Sequence, residues 1–195
     1  MTAARRRKAR LGLLLAPGAG AGRDQSALVA IDERVSSAGA EVVRMDFPYR
    51  KAGKKAPDRP PVLLAAVAEE AAMLAERAQR LVLGGRSMGG RVCSMAVAGG
   101  LDAVGLVLIS YPLHPPGRPD RVRDEHFPSL NVPCLFVSGT RDQFGSPSEL
   151  ETATKAIAGP VTHRWIDGKD HGLRGVDEAV AAIVVDWLSE TGLLG

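Results

Sequence analysis

At 195 residues the chain has the size of one ordinary domain, long enough to bury a sizeable core. Its apolar fraction of 45% and charged fraction of 24% are those of a soluble globular protein rather than a disordered or fibrous one, and no apolar run approaches the roughly 18 residues that a membrane crossing needs. Much of the formal charge of +3 gathers in Arg5, Arg6, Arg7, Lys8 and Arg10, which read as a solvated basic tail over residues 1–10 rather than as a nucleic-acid arm.

Residues 11–195 then read as a single domain. Leu11 to Ala16 is an unbroken apolar strand; it imitates the apolar part of a signal peptide but is too short for one, so the expected location is cytoplasmic. Asp24 to Ala38 has helical spacing (Ala27, Leu28, Ile31, Val35) and stops at Gly39. Glu41 to Phe47 is a strand ended by Pro48, and a charged Gly/Pro loop follows from Arg50 to Pro61. Val62 to Gln79 is Ala-rich and helical, with Pro61 placed to start it. Arg80 to Gly84 is a strand and Ser87 to Ala98 a helix. Leu106 to Ser110 is a strand, followed by a Pro-rich connection from Tyr111 to Asn131. Cys134 to Ser138 and Val161 to Ile166 are strands around a helix at Pro147 to Ile157, and Val176 to Leu188 closes the chain as an amphipathic helix. Such alternation predicts a mostly parallel sheet with helices on both faces. The low aromatic content of 4% leaves Val, Leu, Ile and Ala to fill the core, which suits a buried parallel sheet.

Cys93 and Cys134 both sit in apolar surroundings and lack any metal-ligand spacing, so buried free thiols are expected and neither a metal nor a cofactor is.

Gly85-Arg86-Ser87-Met88-Gly89 fits G-x-S-x-G. The pattern alone is weak; its setting between a strand and a helix of small residues is what discriminates. A nucleophilic serine on such a turn stands above the sheet in a strained conformation, flanked by glycines that keep side chains away from the neighbouring strand and helix. The helix that starts there aims its N-terminal N–H groups at the reaction centre.

A serine hydroxyl is a poor nucleophile without a base and a group to orient that base. Asp142 follows the strand that ends at Ser138, and His171 lies on the loop between the last strand and the last helix, so both fall at the same sheet edge as Ser87. The expected triad is therefore Ser87, Asp142 and His171, with Asp170 as second choice for the acid and Asp167 a further rival. His114, His126 and His163 are less well placed for the base. The expected oxyanion donors are the backbone N–H groups of Met88 and of Ala19, the latter in the Pro17-Gly18-Ala19-Gly20 loop after the first strand. That loop lacks the lysine and the register of a nucleotide-binding one.

The segments PGAG, GGRSMGGR, ISYPLHPPGRP, RDEHF, FVSGTRD and DGKDHG together resemble the KANSL/testis-expressed type of α/β-hydrolase-like proteins, near the dienelactone-hydrolase-like branch, over essentially the whole chain after the tail. The resemblance implies an α/β-hydrolase fold without a cap domain and carries the triad roles onto Ser87, Asp142 and His171. It also shows two departures. Many relatives begin the oxyanion loop with histidine where this chain has Pro17, and dienelactone hydrolases proper use a cysteine where this chain has Ser87.

The expected site is shallow and bordered by the Tyr111–Asn131 connection, with Tyr111, Leu113, His114 and Phe127 on its rim and Arg86 or Met88 facing the acyl side. Arg118, Arg121 and Arg123 read as a solvated basic loop, with attraction of an anionic substrate as the alternative. The expected function is hydrolysis of a small carboxylic ester or thioester. The alternative is a noncatalytic binding or scaffold module, and the oligomeric state is left open.

Overall fold

A computed structural model describes residues 8–194. β1 (Ala9–Ala16), β2 (Glu41–Arg44), β3 (Ala78–Arg86), β4 (Gly105–Ile109), β5 (Cys134–Gly139) and β6 (Val161–Ile166) form one sheet in the order β2-β1-β3-β4-β5-β6. Every adjacent pair is parallel. The helices are α1 (Ser26–Ser37), α2 (Pro48–Lys51), α3 (Pro60–Ala75), α4 (Met88–Ala98), α5 (Pro147–Ala153) and α6 (Asp177–Glu190).

The period-2 geometry of β1 sorts its side chains between two cores. Leu11, Leu13 and Leu15 pack with α1 and α6 on one face, through Leu28, Ile31, Val184 and Trp187. Leu14 and Ala16 face the other way, toward Leu63 and Val67 of α3 and Val92 and Cys93 of α4. Because both faces are covered, the central strands must be apolar throughout, and β4 is buried at all five positions.

Several boundaries shift from the sequence reading, among them the end of β2 at Arg44 rather than Phe47, with α2 following at Pro48. β1 starts at Ala9, which pairs with Ala78 of β3, so Ala9 and Arg10 belong to the sheet rather than to the tail. Residues 1–7, which carry most of the basic cluster, lie outside the described residues. The helix read as Val62 to Gln79 is α3, which starts at Pro60 and ends at Ala75, because two prolines serve as its first residues and the chain must turn back to enter β3 at Ala78. Among the described residues no helix is long and apolar enough to cross a membrane.

The topology decides where a site can form. From β1 the chain moves to β2 at one edge, then crosses to β3 on the opposite side of β1. The connections leaving β1 and β3 therefore diverge and open a crevice between their carboxyl ends. The loop Pro17–Gly20 leaves β1 there, and Ser87 follows β3.

Candidate active site

Ser87 is the residue on which β3 turns into α4. Its backbone sits at φ 51° and ψ −118°, a region that costs a residue with a β-carbon on the order of 1–3 kcal/mol unless its surroundings over-determine it. Here they do. The Ser87 N–H donates to the Ile109 carbonyl at 2.8 Å, fastening the turn to β4. A β-carbon on Gly85 or Gly89 would run into the Ala16 carbonyl oxygen, and one on Gly84 into that of Val107. The glycines thus let three backbones meet where the serine hydroxyl is displayed.

His171 reaches the hydroxyl from the loop between β6 and α6. Its Nε2 lies 2.9 Å from Ser87 Oγ. Its Nδ1 lies 2.9 and 3.0 Å from the two carboxylate oxygens of Asp142. With Nδ1–H donating to the carboxylate, Nε2 is left to accept the serine proton. The Asp142 side chain is fully buried, and its Oδ1 also accepts the Phe144 N–H at 2.8 Å, which closes a local Asx turn.

Two contacts aim the imidazole further. The Phe144 ring lies 4.0 Å from it, centroid to centroid. From the opposite side of the loop, Arg86 Nη2 donates to the carbonyls of His171 at 2.7 Å and Gly172 at 3.0 Å. Burial holds the Arg86 guanidinium below its ordinary pKa, partly offset by the charges of Asp177, Asp142 and Asp170. Arg86 lines the cleft as expected, but its guanidinium is spent on the histidine loop.

Across the crevice, the Pro17–Gly20 loop is held by its own N–H groups. Gly18 donates to Gln25 Oε1 at 3.1 Å, Gly20 to the Tyr49 hydroxyl at 3.0 Å, and Ala21 to the Gly18 carbonyl at 3.1 Å. The Ala19 N–H between them has no protein acceptor among the described residues. The Met88 N–H is the first of the N–H groups at the start of α4 that an α-helix leaves without an internal acceptor.

Ala19, Ser87, Met88 and His171 line one cleft of ≈ 520 Å³. Its far wall is apolar, from Pro60, Leu63 and Leu64 of α3 and Val92 and Met95 of α4, and Pro57, Asp58, Pro112 and Arg123 complete the rim.

Much of the expected rim lies elsewhere. Tyr111 and Phe127 are fully buried, tilted against each other and edge-to-face with Phe136, and Leu113 is buried with them. Apolar side chains in the Pro-rich connection gain more from the core than from a solvated rim. His114 is buried beneath α5, 3.5 Å from Glu149, and opens with Leu113 onto a different depression. Of the rival residues, Asp170 accepts the Gly172 N–H, Asp167 the Thr140 hydroxyl, His126 pairs with Ser94 and His163 with Thr154. Sequence reasoning missed Gln25, Tyr49, Phe144 and Arg91. Two of them left a local signal: Phe144, two residues after an aspartate in a turn, and Arg91, four residues after the serine on its helix. The thiols of Cys93 and Cys134 are buried, each pushed up to about 12 by that burial.

A fully parallel sheet with a serine elbow after its third strand, backed by a histidine and a buried carboxylate from later loops, is the α/β-hydrolase fold. The alpha/beta hydrolase domain family matches residues 9–180, and the chain belongs to that family. Similar solved structures include one reported for the metagenome-derived lipolytic enzymes LipS and LipT, at 15% identity over 94% of this chain and 95% of that one, TM-score 0.75. Est1E from Butyrivibrio proteoclasticus is similar at 17% identity over 94% and 88%, TM-score 0.77. A dienelactone hydrolase from Anabaena variabilis is similar at 18% identity over 93% and 87%, TM-score 0.74. At these identities the likeness is one of fold.

Proposed function

We propose that this protein is a serine hydrolase that cleaves a carboxylic ester or thioester, with Ser87 as nucleophile, His171 as general base and acid, and Asp142 as the group that orients the imidazole. The observation that carries the reading is the unbroken chain of short contacts from buried Asp142 through His171 to a strained Ser87. A hydrogen-bonding serine alone needs no such backbone.

Ser87 Oγ attacks the carbonyl carbon while its proton passes to His171 Nε2. The imidazolium that forms is held by the Asp142 carboxylate. The carbonyl oxygen becomes an oxyanion, for which the N–H groups of Ala19 and Met88 are the waiting donors. Collapse breaks the acyl carbon–oxygen or carbon–sulfur bond, and His171 returns the proton to the leaving group. Water, deprotonated by the same histidine, then attacks the acyl-enzyme and releases the acid and the free serine. The partner required is a small acyl substrate, consistent with the cleft size and with structural neighbours such as Est1E, described with ferulic acid bound. The finer resemblance to the KANSL/testis-expressed type belongs to this proposal too.

The test is labelling of the purified protein by a fluorophosphonate probe, with Ser87→Ala and His171→Ala as comparisons and circular dichroism to check folding. Labelling of the wild type that both variants lose supports an activated serine. No labelling of folded wild-type protein would instead favour a noncatalytic module.

A further inference from the structure

Arg91 and Arg123 both line the cleft that holds Ser87, yet neither has a partner for its charge. Arg34, Arg44, Arg77, Arg118 and Arg164 each meet a carboxylate within 3.1 Å. No carboxylate stands within ion-pair distance of Arg91 or Arg123 among the described residues. The Nε of Arg91 is buried with nothing to donate to. Both side chains are half-buried, and a buried donor left without an acceptor, as Arg91 Nε is, is uncommon and calls for a partner.

The backbone of each of the two arginines is also held from behind. Ser94 Oγ donates to the Arg91 carbonyl at 2.8 Å, and His126 Nε2 lies 2.8 Å from the same hydroxyl. The Tyr111 hydroxyl donates to the Arg123 carbonyl at 2.7 Å, and the Arg123 N–H to the Leu113 carbonyl at 2.8 Å. Burial first, and then the charge of Arg91, lower the pKa of Arg123. Asp58 is the one carboxylate lining the cleft among the described residues, and its buried Oδ2 is itself unpaired. Against it stand Arg86, Arg91 and Arg123, so the lining carries a surplus of positive charge.

Building on the serine-hydrolase reading, we propose that Arg91 and Arg123 form an oxyanion-binding subsite, so that the ester or thioester carries a carboxylate or phosphate group a few bonds from its scissile carbonyl. The spacing favours this. Arg91 lies in the first turn of α4, about 6 Å along the axis from Ser87, its N–H donating to the Ser87 carbonyl at 3.1 Å, and both residues line the same cleft. Two planar guanidiniums suit a carboxylate or phosphate, each able to donate a pair of parallel hydrogen bonds.

The subsite is tested apart from turnover by titrating Ser87→Ala protein calorimetrically with monomethyl glutarate, methyl phosphate and neutral methyl butyrate. Binding of at least one anion, weakened about 10- to 100-fold by Arg91→Met or Arg123→Met and partly restored by Arg91→Lys, is the expected result. The anion that binds identifies the group. In the active protein the ratio of kcat/KM for 4-nitrophenyl hemiglutarate over 4-nitrophenyl butyrate should fall by a similar factor in either variant. A charge on the leaving side is read from 4-acetoxybenzoate against phenyl acetate. Equal binding of anionic and neutral ligands, or anion binding indifferent to both substitutions, overturns the subsite. Should no ester be cleaved and no fluorophosphonate react, the hydrolase reading falls while the titration still decides the subsite.

Discussion

Replacing Arg86 with methionine should loosen the histidine loop without touching the triad itself. The side chain keeps its apolar stem but loses the Nη2 donor that holds the His171 carbonyl at 2.7 Å and the Gly172 carbonyl at 3.0 Å. A buried hydrogen bond to a charged group contributes roughly 1.5–3 kcal/mol. One nitrogen serves both carbonyls here and the residue is only half-buried, so water recovers part of the loss; about 2 kcal/mol is a fair figure for the pair. If that energy is spent entirely on keeping His171 beside Ser87, the second-order rate of fluorophosphonate labelling should fall about 30-fold, with a melting temperature a few degrees lower. Arg86→Lys separates geometry from charge: it keeps the cation but cannot present the same planar donor, and should recover less than half of the lost rate. A methionine variant that labels within about twofold of the wild type would refute the view that Arg86 positions the histidine.

Asp142→Asn should leave the fold intact but reduce kcat on a short acyl ester by roughly 10³- to 10⁴-fold, because an amide no longer enforces the Nδ1–H tautomer or steadies the imidazolium; a drop of less than tenfold would point away from the triad. Gly89→Ala places a β-carbon against the Ala16 carbonyl, a backbone atom that cannot swing aside, and should lower stability by about 2–4 kcal/mol in urea unfolding; a change below about 0.5 kcal/mol would contradict the close approach. His126 titrates at about 4, lowered first by burial and then by the charge of Arg91. Its folded value lies below its ordinary 6.5, so the unfolded chain takes up the proton first as pH falls. The associated stability is complete above pH 6.5 and is lost as pH drops through 4. With allowance for partial exposure this is about 1–2 kcal/mol, and His126→Gln should lose correspondingly less stability than the wild type between pH 7 and 4.

Strand and helix alternation was legible because each element has its own period or an unbroken apolar run, and Ser87, Asp142 and His171 because each follows a recognisable strand by one to five residues. What lay beyond the strand ends was not legible. Tyr111 and Phe127 sit in a segment rich in proline and charge, which reads as surface; only the tertiary fold shows Phe136 waiting to receive them. Arg118, Arg121 and Arg123 look alike in sequence, but Arg118 pairs with Asp120 and is exposed, whereas Arg123 is drawn toward the cleft. Arg91 was within reach, since a residue four places after the serine lies in the first turn of the helix that follows it; the motif ended the reading two residues too early. The wall at Pro57 and Asp58 comes from a loop with no periodicity at all.

The Ala16 carbonyl oxygen sits against the turn that carries Ser87. Gly85 and Gly89 press the elbow against it, and three residues further on the chain that leaves it presents Ala19. The proposed nucleophile and the proposed oxyanion donor are therefore both gauged from Ala16, by backbone contacts that no side chain makes. The opposite wall is built from side chains of α3, α4 and two loops, each replaceable without disturbing that gauge. Such a division lets a lineage trade substrates freely while its chemistry stays put, so relatives with the same elbow should differ most at the positions of Pro57 to Leu64, Arg91, Met95 and Arg123.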